Sequence, residues 1–236
     1  NKAAAADLLK QLGRPDTPIA AFQAMVEIGL WSPHENLFLR RSNTPIQFPA
    51  NVLSALQDRL AMTPPDPECD RRDLTHLKVY TIDDESTAEI DDGLSVETLE
   101  NGRQRIWVHI ADPSRWVSLG DDLDSEAQRR STTIYLPTGM IPMFPVELST
   151  GPMSLVQGQV CCALSFGITL TDEGVVEDYD ITTSTIKPTY RLTYDDVDEM
   201  LELGVQDEPE LMALADWSDR RQSWRESQGA ISIKMP

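Results

Sequence analysis

The stretch ETLENGRQR, residues 97–105, sets an Asn-Gly pair between two β-like runs at 94–99 and 105–111. In the second run Ile106, Val108 and Ile110 alternate with Trp107 and His109, the period of a strand whose two faces meet different surroundings. An Asn-Gly turn joining two such runs commits them to an antiparallel hairpin. Further short runs at 77–82 and 160–170 (VCCALSFGITL), and a strand, turn and strand pattern in TDEGVVEDYDITTSTIKP, extend the hairpin into a sheet.

Helical patterns surround this sheet. AAAADLLKQLG ends at Gly13, TPIAAFQAMVEIGLW carries Pro18 at an early position, and PANVLSALQDRLAM places Val52, Leu53, Leu56 and Leu60 at helical spacing. Helices return at DDLDSEAQRRS, at TYDDVDEMLEL and over 208–228. TPPDPECDRRD is Pro-rich and polar, reads as a linker or exposed crossing, and places a boundary near residue 75. The expected fold is α+β: a mixed β-sheet domain over 76–236 behind a helical N-terminal appendage with its linker over 1–75.

Charge is unevenly spread. Residues 1–80 balance nine Lys or Arg against nine Asp or Glu, so the whole net charge of −19 lies in residues 81–236. An acidic surface argues against nucleic-acid binding through this part of the chain alone, because phosphate neutralisation needs basic residues. Three cysteines (Cys69, Cys161, Cys162) form no CxxC spacing, and His34, His76 and His109 are isolated, so zinc chemistry is not expected. No run of about 18 apolar residues is present, and NKAAAADLLKQLG lacks the apolar core of a secretory signal. The expected setting is cytoplasmic, without membrane contact. The missing initial Met and the unmarked end at ISIKMP suggest a piece of a longer protein.

Six carboxylates fall within the ten residues from Asp83 to Asp92, and no Lys or Arg occurs from 81 to 100. The run sits between two strands, and loops held by a sheet commonly carry chemistry. Convergence of Asp83, Glu89, Asp91 and Asp92 requires a cation to offset their repulsion, and hard oxygen donors favour Mg²⁺ or Mn²⁺. Taken alone, the run reads more readily as a solvated acidic loop, since blocks of like charge usually face water.

TIDDESTAEIDDGLSV, IWVHIADPSRWV, GDDLDSEAQRRSTTIYLP, IPMFPVELS, MSLVQGQVCCALSFGITLTDEG and SQGAIS, in that order, resemble the catalytic domain of the ribonuclease II and ribonuclease R family. Gly93 and the lead-in GLWSPHENLFL are similar to the branch found in cyanobacteria and chloroplasts, which adds the chloroplast stroma as a second expected location. The resemblance implies a hydrolytic, processive, Mg²⁺-dependent 3′-to-5′ exoribonuclease that degrades single-stranded RNA to nucleoside 5′-monophosphates. By motif position Asp83 and Asp92 match metal-site aspartates, Asp91 matches the aspartate most critical for hydrolysis, and Tyr135 in IYLP matches an RNA-contacting aromatic. Glu89 departs from the family's usual Asp, keeping the charge with one methylene more of reach.

The resemblance further implies a catalytic domain that continues beyond residue 236 and supplies an arginine near the scissile phosphate. Flanking OB-type domains usually add RNA-binding surface. Trp107 and Trp116 read as core, and Arg115, Arg220, Arg221 and Arg225 as solvent-facing or acid-balancing. The alternative is a catalytically impaired RNA-binding or scaffolding paralogue of the same fold, supported by Glu89.

Overall fold

The computed structural model describes residues 2–42, 44–68 and 70–231; Cys69 lies outside the described residues. The chain divides into two compact units, one up to Gln47 and one from Phe48 onward. The sequence change near residue 75 marks where strands take over. The packing divides earlier, because the helix over 50–61 buries its apolar stripe within the second unit.

The first unit holds α1 (Lys2–Gln11), α2 (Pro18–Glu27) and α3 (Leu37–Ser42). Pro18 opens α2 at a position where no amide hydrogen is needed, and Thr17 Oγ1 accepts from the Ala20 N–H at 3.2 Å. Beyond its C-terminus Trp31 folds back against Phe22, with ring centroids 5.8 Å apart.

The second unit is built on a seven-stranded mixed sheet in the order β1-β8-β7-β4-β3-β2-β9. The strands are β1 (Arg72–Asp73), β2 (Val79–Asp83), β3 (Asp92–Thr98), β4 (Gln104–Ala111), β7 (Cys161–Leu170), β8 (Val176–Ile186) and β9 (Pro188–Thr193); β5 (Ile134–Leu136) and β6 (Gly139–Ile141) form a separate hairpin. The expected hairpin is β3–β4, antiparallel from Asp92↔Ile110 to Thr98↔Gln104. TDEGVVEDYDITTSTIKP contributes a turn and one long strand, β8, and the next strand begins only at Pro188. Lys187 alone separates β8 from β9, yet the two occupy opposite ends of the strand order. The sheet therefore curls back toward itself, with β1 parallel to β8 and β2 parallel to β9.

The inward face of the curl carries Leu74, Leu77, Val79, Ile90, Trp107, Leu155, Ala163 and Ile186 as one apolar cluster. Gly167 lies under Trp107, where a Cβ would stand 2.7 Å from the indole ring; this close approach explains a glycine in mid-strand. On the same face runs a buried polar row across four strands: Ser95 Oγ to His109 Nε2 at 2.9 Å, His109 Nδ1 to Ser165 Oγ at 2.7 Å, and Ser165 Oγ to Ser184 Oγ at 2.6 Å. The outward face is partly covered by α7 (Tyr194–Leu203) and α8 (Pro209–Ser227), through Leu211 and Leu214 against Tyr80, Val96 and Leu94. Glu208, at the head of α8, ties the helix down by accepting from the Tyr80 and Tyr190 hydroxyls and the Lys78 ammonium.

A third cluster joins α4 (Ala50–Ala61), α5 (Asp122–Arg130) and α6 (Val146–Ser149) through Val52, Leu56, Leu123 and Leu148, with Trp116 alongside. The Pro-rich segment before β1, expected as a linker or exposed crossing, is fastened instead. Arg71 is nearly buried between Asp66 at 2.8 Å and Asp112 at 2.7 Å, and this guanidinium holds the Asp66 carboxyl down to about 2. Among the described residues no helix is long and apolar enough to cross a membrane.

His109 is fully buried and desolvation pushes its pKa down to about 4, so it is neutral in the fold and carries a single ring proton between two serines. The unfolded chain takes up a proton near pH 6.5 and the folded chain only near 4. Stability is therefore full above about 6.5 and falls by up to about 3 kcal/mol as pH drops to 4. Urea unfolding across that range is expected to show this slope, and His109→Gln to remove that part of it.

Candidate functional site

The β2–β3 connection is the acidic stretch. Asp83 is the last residue of β2 and Asp92 the first of β3, so antiparallel pairing brings both to one rim of the curled sheet. Asp84 turns the chain there: its Oδ1 accepts from the Ser86 N–H at 2.9 Å and its carbonyl from the Thr87 N–H at 3.0 Å. Its carboxylate is thus used as a local turn cap, and Glu85 stands exposed beside it. Ile90 then drops into the inward core, and the Asp91 carbonyl accepts from the Ala111 N–H at 2.7 Å at the end of β4. Gly93 allows β3 to approach β2 closely at this point: a Cβ there would lie 3.0 Å from Val79 Cγ1.

The four carboxylates singled out by sequence share one cleft of about 490 Å³ with Tyr135, Leu136, Gly139 and Met140 of the β5–β6 hairpin. Tyr135, 73% exposed, pairs with Met140 across the hairpin and stands open to solvent rather than in a core. The hairpin is fixed from α5, whose final residue Arg130 donates to the Pro142 carbonyl at 2.9 Å, and by the Met143 N–H on Thr133 Oγ1 at 3.0 Å. A smaller adjoining cavity has Glu89 and Asp91 on one wall and Pro113, Met143 and Phe144 on the other.

Electrostatics mark the cleft as under-compensated. Crowding by the protein, followed by repulsion from Glu89, Asp92 and Asp83, pushes the Asp91 carboxyl up to about 6. Asp83 is raised by burial and by Asp92, against a lowering influence from Arg191. The Tyr135 phenol is raised by burial and by the negative charge of Glu89 and Asp91, which places its ring beside them. Arg191 on β9 donates to the Thr87 carbonyl and is the cation nearest the loop that bears on Asp83.

The donor set fits a hard divalent ion. Asp83 Oδ2 is buried without a hydrogen-bond partner, and the cleft offers only oxygen donors at its acidic wall. Among the described residues no three His, Cys, Asp or Glu side chains are grouped so as to hold a metal ion by themselves.

Outside the cleft Trp107 and Arg220 match the plainer readings, whereas Arg115 and Arg221, expected to face solvent or balance acids, are half-buried on backbone carbonyls. Trp107 is buried, Arg115 donates to the Pro64 carbonyl at 3.0 Å, Arg220 pairs with Asp172 and Asp216, and Arg221 donates to the Gly174 carbonyl. Sequence reasoning missed Arg191, Met140 and the turn at 153–155. Arg191 and Ser154 act through contacts distant in sequence, on Thr87 and Ile90 respectively.

The curled mixed sheet thus carries an acidic rim that shares a cleft with the Tyr135 hairpin. Residues 71–236 match the RNB domain family, so the chain belongs to that family; residues 1–37 match the double HTH domain family. Over all 236 residues it is 59% identical to an uncharacterized ribonuclease of Synechocystis, covering 35% of that protein. It is 40% identical to the chloroplastic/mitochondrial ribonuclease II of Arabidopsis thaliana, over 96% of this chain and 28% of that one. Mycoplasma genitalium RNase R, solved in complex with double-stranded RNA, superposes with a TM-score of 0.69 at 26% identity, over 80% of this chain and 35% of that one. The chain thus spans about a third of the length of the curated relatives it matches.

Proposed function

We propose that this chain carries the acidic wall of a hydrolytic 3′-to-5′ exoribonuclease site, which acts processively on single-stranded RNA and releases nucleoside 5′-monophosphates. One observation carries the reading: Asp83, Glu89, Asp91 and Asp92 line a single cleft with Tyr135. Four carboxylates facing one space, with no ion pair to a basic side chain among the described residues, suit a phosphodiester brought in with divalent cations, and suit no anionic substrate on its own.

Asp83, Glu89, Asp91 and Asp92 would hold Mg²⁺ or Mn²⁺. When bound, such ions neutralise the scissile phosphate and lower the pKa of an attacking water. The chain's own residues do the rest. Asp91, which lines the cleft with Glu89, is assigned the role of orienting the water. Tyr135, on a short hairpin opposite, offers a ring face for a base near the 3′ end. Stacking of this kind is indifferent to sequence, because every base has a π-face. Glu89 keeps the charge of the usual aspartate with one methylene more in its side chain, and it lines the same cleft. The expected location is the cytoplasm or, for a plastid member, the chloroplast stroma.

In the intact protein, Mg²⁺-dependent release of 5′-monophosphates from single-stranded RNA is expected. Asp91→Asn should lower it by about 100-fold or more, the equivalent of roughly 3 kcal/mol of lost transition-state stabilisation. Undiminished turnover in that variant would overturn the assignment. Tyr135→Ala should change the length of the last undegraded oligonucleotide, read on a sequencing gel with a 5′-labelled substrate; an unchanged end product removes Tyr135 from the site.

A further inference from the structure

The acidic loop is gripped from behind at one residue. Ile90, 3% exposed, lies between Glu89 and Asp91 and enters the inward core with Leu155 and Trp107. Its N–H donates to Ser154 Oγ at 2.9 Å, and its carbonyl accepts from the Leu155 N–H at 2.9 Å. Ser154 Oγ also stands 3.4 Å from that same carbonyl, so one hydroxyl accepts from and donates to a single loop residue. Ser154 is as buried as Ile90 and is itself seated by its N–H on the Gly151 carbonyl at 3.0 Å.

The consequence is geometric. Ile90 is buried in the inward core, while Glu89 and Asp91 on either side of it line the cleft, so a hold on both backbone groups of residue 90 constrains where its two neighbours stand.

We propose that Ser154 is a positioning residue for the cleft: by holding Ile90 it sets the aim of Glu89 and Asp91 and thereby the affinity for a divalent cation. The inference rests on the metal-binding reading of these carboxylates given above. Ser154 touches neither ion nor substrate; it acts through the backbone between two ligands. Groups that orient metal ligands from outside commonly govern affinity by about 10–100-fold.

The test is Mn²⁺ titration of the intact protein without RNA, followed by electron paramagnetic resonance of the free ion, alongside thermal melting. Ser154→Ala should weaken Mn²⁺ binding by about 10-fold or more, and Ser154→Thr, which keeps the hydroxyl, should restore it toward wild type. Leu214→Ala, in the opposite core cluster, should lower the melting temperature and leave Mn²⁺ binding unchanged. Wild-type Mn²⁺ affinity in Ser154→Ala would overturn the proposal, as would equal weakening in Leu214→Ala, since the effect would then be a loss of stability alone. Asp91→Asn separates the two readings. If it loses Mn²⁺ while Ser154→Ala retains it, only the positioning role falls. If Asp91→Asn binds Mn²⁺ as tightly as wild type, the metal reading fails and the positioning role falls with it.

Discussion

The parallel pairing of β2 with β9 is the contact on which the rest of this unit depends. β9 follows β8 after a single residue, and β8 lies near the far edge of the same sheet, so making the β2–β9 ladder forces the sheet to curl. The curl creates an inward face that can bury Trp107, Val79 and Ile186 without a second sheet to cover them. It also fixes the rim. Asp83 sits at the end of β2 with β9 on one side and β3 on the other, so the first ligand candidate is held from both flanks. Arg191 arrives on β9 by the same pairing, opposite Thr81, and reaches the loop that follows Asp83.

Concentrated like charge is tolerated here because the surrounding structure is not asked to neutralise it. Elsewhere the chain pairs its acids closely: Asp66 and Asp112 with Arg71, Glu126 with Arg129 and Arg130, Glu208 with Lys78. At the rim, Asp83, Glu89, Asp91 and Asp92 have no such partner among the described residues, and Arg191 turns its hydrogen bond to a backbone carbonyl. Folding and ligand binding thus divide the electrostatic work: the framework is compensated internally, while the cleft is left for something brought from outside.

The sequence was legible where structure is local. The β3–β4 hairpin followed from alternation and an Asn-Gly turn, and the gathering of four carboxylates followed from their lying in one short loop. That the Asp84 carboxylate caps a turn is visible only in the structure, through its bond from the Ser86 N–H. Likewise β5, β6 and α6 have three or four residues each, too few for any period to emerge. The run through Ile186, Lys187 and Pro188 reads as continuous, yet it feeds two strands at opposite ends of the sheet. Ser154 was invisible because its meaning lies in a contact with Ile90, 64 positions away. Tyr135 could be placed near the acids only through family resemblance, since the hairpin's position is set by α5 and not by the residues around the tyrosine.

The row of Ser95, His109, Ser165 and Ser184 gives the curled sheet a way to count. An apolar interior accepts many near-equivalent strand alignments, and sliding a strand by two residues keeps its inward face inward. A chain of hydroxyls and one imidazole does not slide so freely. Shifting β4 by two residues against its neighbours would put the ring of Trp107 where His109 now bridges two serines, leaving buried hydroxyls unpaired on either side. The strands can therefore lock in one alignment only, and since Asp92 opens β3 and Asp83 closes β2, that alignment also decides which acids arrive at the rim. A polar seam behind the rim serves as the ruler against which the cleft is measured.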